Sequence, residues 1–327
     1  MENRISIALC TFNGSKYVGE QLKSIINQTL QPNEIIIFDD ASTDNTVDIV
    51  KNILDQWDGE YKIFENKNNV GFQRNFNLAL HRCSGDIIFL SDQDDYWECE
   101  KISKQVHILN ENPNVLLCFH DAALVDNNLN QLGISMWKSI KFNYNEFLHG
   151  NYSRLFISPC VQGCSIALRK ELLEKMVVPF SKFAYHDEWL AMNAVLYGDI
   201  YPINEKLLRY RQTGNNAIGV NIGTFWGKIH SWFSHPSKKK KTYVKNLYRK
   251  YKVWSDFYEL IIKSSINENI VEHLTQYLKF MNDRYLLLYT REIKYLPSIF
   301  TYFKYYNKVS LATKYFMKDA GLSFIKY

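Results

Sequence analysis

Short apolar runs alternate along the chain with longer segments in which apolar residues recur at helical spacing. Residues 5–9, 34–38, 61–64 and 87–90 are runs of strand-favouring residues bounded by polar or turn-forming ones. Between them, 17–28 places Val18, Leu22, Ile25 and Ile26 on one helical face. Segment 45–57 does the same with Val47, Ile49, Val50, Ile53 and Leu54, and 72–81 forms a third helix. Pro32 stops the first helix, Asp44 suits the N-cap of the second, and 66–71 reads as a turn. The pattern is β-α-β-α-β-α-β, which predicts a parallel sheet with helices on both faces. Right-handed crossovers bring the carboxyl ends of such strands to one edge. The loops at Thr11, Asp40, Gly71 and 92–95 should therefore converge there.

Beyond this, 101–110 reads as a helix closed by Pro113, and 115–119 as a strand followed by His120 and Asp121. Residues 126–133 look like a turn, and 143–150 show no clear period. Segment 160–168 reads as a glycine-containing strand, 170–176 as a short helix, and Glu188 through Tyr197 as a helix. Two short strands, 200–203 and 207–210, lead to a polar loop at 211–216. Helical patterns then fill 243–260, 270–289 and 299–316. No internal repeat is evident.

Composition sharpens the division. A chain of 327 residues that is 46% hydrophobic can bury a sizeable core, and 15% aromatic content argues against disorder. No window approaches the ~18 continuous apolar residues of a membrane span. The polar start runs directly into a strand, so no signal peptide is expected. Six scattered cysteines make no zinc pattern, and Cys160 and Cys164 read as core thiols. The net charge of +5 hides an asymmetry: from Phe225 onward 19 Lys and Arg face 7 Asp and Glu. That region carries +12 and the preceding residues −7, which suggests a domain over 1–224 and a basic, aromatic helical region over 225–327. Lysines interleaved with Trp, Tyr and Phe suit either a solvated surface or in-plane contact with anionic lipid. No nucleic-acid motif accompanies them, so no nucleic acid is expected.

The densest chemistry follows the strand at 87–90, which delivers Asp92, Asp94 and Asp95. Packing that much like charge is costly without a cation among it. A hard divalent cation that also binds phosphate oxygens is the natural partner. An acidic surface turn is the plain alternative. The position at a strand's carboxyl end, where open α/β sheets bind ligands, favours a site. No G-x-G-x-x-G and no G-x-x-x-x-G-K-[ST] occurs, which argues against a dinucleotide cofactor and a P-loop.

S-I-A-L-C-T-F-N-G, I-I-I-F-D-D-A-S-T-D, N-V-G-F-Q-R-N-F, D-Q-D-D-Y-W and H-D-E-W, in this order, make residues 4–220 resemble the inverting glycosyltransferases of family 2. S-D-Q-D-D-Y-W, G-C-S-I-A-L, H-D-E-W-L-A and Y-R-Q-x-G-N-N are most similar to bacterial rhamnosyltransferases that build surface polysaccharide such as O-antigen or capsule. The resemblance implies a GT-A fold, a mixed, mainly parallel α/β sheet flanked by helices, here with a C-terminal helical extension. It implies a dTDP- or UDP-linked sugar donor and a glycan or lipid-linked acceptor. By resemblance, Thr11 and Phe12 line the base pocket, Asp40 accepts from the base, and Arg74 and Gln93 belong to the nucleotide-sugar site. The resemblance further implies that Asp92 and Asp94 hold Mg²⁺ or Mn²⁺ against the diphosphate and that Asp187 deprotonates the acceptor. Trp97, Glu188 and Trp189 are acceptor candidates. His186 reads as structural. Thr213 stands where the family often has a metal-binding His, so water would complete the cation's shell. Location would be cytoplasmic, with peripheral contact on the inner face of the membrane. The competing readings are a nucleotidyltransferase acting on a sugar phosphate and a degenerate, non-catalytic scaffold.

Overall fold

The computed structural model describes residues 3–150, 160–176, 185–213, 236–261 and 268–290, with a few isolated positions besides. The chain divides into two compact units. One comprises Met1–Asn151, Cys160–Phe180 and Tyr185–Val220, the other Tyr152–Pro159, Ser181–Ala184 and Asn221–Tyr327. The expected boundary at 224/225 lies outside the described residues.

The first unit is built on a sheet with nine strands among the described residues. Its first half is β1 (Ile5–Thr11), β2 (Glu34–Asp39), β3 (Glu60–Glu65) and β4 (Ile87–Ser91), interleaved with α1 (Val18–Ile26), α2 (Thr46–Leu54) and α3 (Phe72–Leu80). These four strands are parallel in the order β3-β2-β1-β4. Strands β1, β2 and β4 are buried along their whole length, as continuous apolar runs between two helical layers must be. Strand β3, at the edge, alternates between half-buried and exposed positions over most of its length.

The second half is mixed. It contains β5 (Tyr96–Trp97), α4 (Lys101–Glu111), β6 (Val115–Val125), β7 (Gln131–Ser135), α5 (Met136–Ile140) and α6 (Tyr144–Leu148). A 3-10 turn at Gly163–Ser165 leads to β8 (Ala167–Arg169), α7 (Lys170–Lys175), α8 (His186–Tyr197) and β9 (Asp199–Arg211). Beyond β4 the order is β8-β6-β9-β5, with β7 antiparallel to β6. Strand β8 runs antiparallel to both β4 and β6, while β6 and β9 are parallel.

Several expectations change here. Strand β6 does not stop at Phe119; His120 and Asp121 lie inside it, buried. Asp121 Oδ1 accepts from the N–H groups of Ala122 and Trp137, each at 2.8 Å, so burial leaves that oxygen satisfied. The two short strands expected at 200–203 and 207–210 are one strand, β9, whose pairing with β6 shifts register around His120 and Asp121. Of the strand expected over 160–168 only its end is strand, in β8; Gly163–Ser165 is the 3-10 turn and the residues before it are irregular. A Cβ on Gly163 would sit 2.6 Å from His186 Nε2, so this glycine lets the turn press against the start of α8.

In the second unit, α9 (Pro236–Ile261) and α10 (Glu268–Thr290) pack on each other. They bury Val253, Trp254 and Phe257 on one helix and Leu274, Tyr277, Phe280 and Met281 on the other. Buried Arg284 is paired to Asp319, Nε to Oδ2, at 2.5 Å. The helix expected over 299–316 lies almost wholly outside the described residues.

Candidate active site

The carboxyl edge of β1, β2 and β4 carries the predicted residues. Thr11 Oγ1 donates to Asp39 Oδ1 at 2.7 Å, and Asp39 also takes the N–H of Ser42 at 2.7 Å. Asp39 therefore serves to brace the loop after β2, a role not visible in sequence. Next to it, Asp40 is buried and accepts from three donors: Asn66 Nδ2 at 2.9 Å, and the N–H groups of Val70 and Gly71 at 2.8 Å. These bonds fold the 66–71 turn over the edge. Gly71, at φ +84°, is the residue type that turn requires. Arg74 is exposed in the first turn of α3.

Phe12 follows β1 and is 44% exposed. Its N–H donates to Gln93 Oε1 at 2.8 Å, and Gln93 Nε2 donates back to its carbonyl at 3.0 Å. The loop carrying the aspartates is thus tied to the loop after β1. From below, Gln21 on α1 donates to Ser91 Oγ at 3.0 Å, and Ser91 Oγ donates to the carbonyl of Asp92 at 2.9 Å.

The aspartates form one electrostatic unit with α8. Asp92 is pushed up to about 7 by burial and then by the negative charges of Asp94 and Asp187. Burial raises Asp94 too, against the opposing pull of Arg211. Asp95 lies well above the usual carboxylate range, from burial and from Asp94 and Asp92. Asp187 and Glu188 occupy the first turn of α8, where the helix dipole favours negative charge. Asp187 Oδ1 accepts from the N–H of Glu188 at 2.7 Å. His186, stacked on Phe76 at 4.3 Å, is driven down to about 3 by burial and stays neutral, as a structural residue would.

The donor set fits a divalent cation. Ligand atoms of Asp92, Asp95 and Cys164 lie within 4.8 Å of one another. Asp95 Oδ1 accepts from the N–H of Arg211 at 3.1 Å, whereas its fully buried Oδ2 has no hydrogen-bond partner. The cluster that closes includes Asp92 of the expected pair, with Asp95 and a thiol in place of Asp94. Burial and the neighbouring Asp95 and Asp92 hold Cys164 protonated, so the carboxylates are the stronger donors for a hard ion.

Two site residues escaped sequence reading. Arg211 ends β9 at 1% exposure and spans the floor of the site. Its Nε donates to the carbonyl of Asp94 at 2.8 Å, and its two terminal nitrogens reach the Asn127 carbonyl and the Glu20 carboxylate. Its guanidinium also lies over the Tyr17 ring. Lys101, fully buried, lies beneath, 4.3 Å from the Trp97 ring. Trp97 and Trp189 are each 1% exposed and belong to the core, so neither ring shows an open face at the edge.

Comparison with known proteins agrees with this geometry. The family model of glycosyl transferase family 2 matches residues 6–177. A glycosyltransferase of Haemophilus influenzae is 29% identical over 227 residues, covering 67% of this chain and 69% of that protein. The dTDP-rhamnosyl transferase RfbG of Shigella flexneri is 27% identical over 230 residues, covering 65% and 74%. Staphylococcus aureus TarS, solved with UDP-GlcNAc, shares the fold at a TM-score of 0.58 and 19% identity, covering 97% of this chain and 81% of that one. The mannosyltransferase PcManGT of Pyrobaculum calidifontis, solved with GDP-Man and Mn²⁺, does so at 0.58 and 17%, covering 99% and 84%. An edge lined with carboxylates on a sheet of this order, with a family match over more than half of the chain, has one conclusion: the chain belongs to glycosyl transferase family 2.

Proposed function

We propose that the protein transfers a sugar with inversion from a dTDP- or UDP-linked donor to a glycan or lipid-linked acceptor. Rhamnose is the favoured sugar and bacterial surface polysaccharide the favoured product. The observation that carries the reading is the convergence of Asp92, Asp94 and Asp187 in one electrostatic unit beside Thr11, Phe12 and Asp40. The name of the S. flexneri relative supports rhamnose. An Escherichia coli relative, 25% identical over 256 residues, is named for UDP-Glc and a diphosphoundecaprenol acceptor, which supports the lipid-linked class.

In this reading Thr11, Phe12 and Asp40 face the base, and Arg74 and Gln93 complete the donor site. The acceptor oxygen attacks the anomeric carbon opposite the nucleoside diphosphate. The new C–O bond forms as the bond to the diphosphate oxygen breaks, and Asp187 holds the acceptor's proton. Glu188 borders that acceptor side. Asp92 and Asp95, whose ligand atoms converge, with Asp94 beside them, would hold Mg²⁺ or Mn²⁺, which would supply Lewis-acid stabilisation of the leaving diphosphate. No carboxylate is needed as a nucleophile, because no covalent sugar–protein intermediate forms. The basic C-terminal region is assigned to peripheral contact with anionic lipid on the cytoplasmic face.

The test measures nucleoside diphosphate release from dTDP-rhamnose, UDP-glucose and UDP-N-acetylglucosamine, for the parent and Asp187→Asn. One donor should be consumed faster when acceptor is present. Asp187→Asn should bind that donor as before and transfer roughly 10²–10⁴ more slowly, the usual contribution of a positioned base. Transfer within about threefold of the parent, far inside that range, would move the role to Glu188. Consumption of none of the three donors would remove this donor class.

A further inference from the structure

Four consecutive N–H groups after β1 all donate to side chains from other parts of the chain. Phe12 donates to Gln93 Oε1, Asn13 to Ser42 Oγ, Gly14 to Thr46 Oγ1 and Ser15 to Asp44 Oδ2, at 2.8, 2.8, 2.8 and 3.1 Å. Asn13, at φ 47°, returns a bond by accepting from the N–H of Thr43 at 2.8 Å. The loop has no strand partner to hold it, so its shape is set by these side chains.

Gln93 differs from the other three. It stands between Asp92 and Asp94, yet its amide leaves the acidic loop and brackets both backbone groups of Phe12. The bracket imitates the pairing a neighbouring strand would supply. Gly14 makes room for it: a Cβ there would fall on Gln93 Oε1 and within 2.5 Å of its Cδ. The φ of Gly14 is not positive, so the requirement for glycine is this close approach and not its backbone angle.

We propose that Gln93 is a positioning residue: packed on Gly14, it holds the exposed ring of Phe12 at a fixed place relative to Asp92 and Asp94. The ligand this arrangement suits is a nucleoside diphosphate, with the base against Phe12 and the diphosphate at the aspartates. The inference rests on the donor-site reading above. It changes the role of Gln93 from touching the nucleotide to setting the span between its two recognition points.

The experiment uses the full chain, Gln93→Ala, Gly14→Ala and the double variant. Calorimetry with Mn²⁺ present measures dTDP, UDP and inorganic pyrophosphate, the last filling only the diphosphate half. Gln93→Ala should weaken the better nucleotide by roughly 10- to 100-fold, as expected for two lost hydrogen bonds that order a binding loop. Pyrophosphate affinity should stay within about twofold, well under the tenfold that a single lost hydrogen bond can produce. Gly14→Ala should reproduce this pattern by expelling the amide. In the double variant the amide that the new methyl group would strike is gone, so its nucleotide affinity should equal that of Gln93→Ala alone. Such non-additivity is the signature of two residues sharing one contact.

Undiminished nucleotide affinity in Gln93→Ala would overturn the proposal. So would an equal loss of pyrophosphate, or a Gly14→Ala cost that persists in the double variant. If Gly14→Ala does not fold, the nucleotide-to-pyrophosphate ratio of Gln93→Ala decides alone. A parent that binds pyrophosphate but neither nucleotide would fail the donor-site reading and take this inference with it.

Discussion

At the scale of single residues, Lys101 gives the sharpest consequence of burial. Its ammonium is fully buried, donates to Gln105 Oε1 at 2.7 Å and lies 5.2 Å from the Phe89 ring. Burial lowers it from 10.5 to about 7, although Cys164, Cys118 and Asp95 pull the other way. Near neutral pH and below, folded and unfolded chains both keep the proton, and the native state bears the cost of a buried charge. Between about 7 and 10.5 only the unfolded chain keeps it, so this contribution to stability rises with pH across that window. Lys101→Met keeps an apolar stem and removes the charge. It should stabilise the protein by about 1–4 kcal/mol at pH 6, the range found when buried charges give way to apolar side chains. The gain should shrink toward pH 10. Urea midpoints at both pH values measure it; parallel profiles for parent and variant would show that the ammonium is well compensated. The acids of the site were legible as single letters because a run of carboxylates at a strand end has few other uses. Lys101 was not, since on a helix with an apolar face a lysine reads as exposed.

At the scale of elements, Arg211 explains how the carboxyl end of β9 becomes part of the site. It joins the Asp94 carbonyl, the Asn127 carbonyl and Glu20 on α1, segments far apart in sequence. That separation is why the sequence placed it in a polar loop: period and turn signals report only on neighbours. The same limit made β6 and β9 look short. Their buried polar residues and bulged pairing break the two-residue alternation, and tertiary hydrogen bonds such as Trp137 N–H to Asp121 make that break tolerable. In contrast β1, β2 and β4 were legible, because a strand covered on both faces is apolar throughout. Arg211→Met should remove the donor shared by the Asp94 carbonyl, the Asn127 carbonyl and Glu20, at about 0.5–1.5 kcal/mol per hydrogen bond lost, and lower the thermal midpoint. It should also weaken Mn²⁺ binding, because Arg211 is the charge that opposes protonation of Asp94. Arg211→Lys keeps the charge but not the planar fork, so it should recover Mn²⁺ binding more fully than the thermal midpoint. Mn²⁺ titration and thermal melts of the three proteins check this; full recovery by lysine would reduce Arg211 to a point charge.

At the scale of the whole molecule, charge is divided along the chain: +12 from Phe225 onward against −7 before it. Residues 238–241, all lysine, fall in the first turns of α9. Cations at a helix N-terminus oppose the helix dipole, so four lysines there lower the helix's own stability unless an anion faces them. No described helix is long and apolar enough to cross a membrane. An anionic lipid surface is the expected facing charge, and the Trp, Tyr and Phe residues near the run in sequence suit the headgroup zone. The expected outcome is sedimentation with vesicles containing anionic lipid, weaker on neutral vesicles and weakened by salt as the screening length shortens. Each lysine near such a surface contributes roughly 1 kcal/mol. Replacing all four lysines with glutamine should therefore lower vesicle affinity by about three orders of magnitude. Transfer to a short, water-soluble acceptor tests the active site separately, because Asp92, Asp94 and Asp187 lie in the other unit. If the quadruple variant keeps that activity and loses the vesicles, the charge asymmetry serves to bring a lipid-linked acceptor to the site. Equal recovery of the parent on neutral and anionic vesicles would leave the lysines as a solvated face and assign the acceptor to solution.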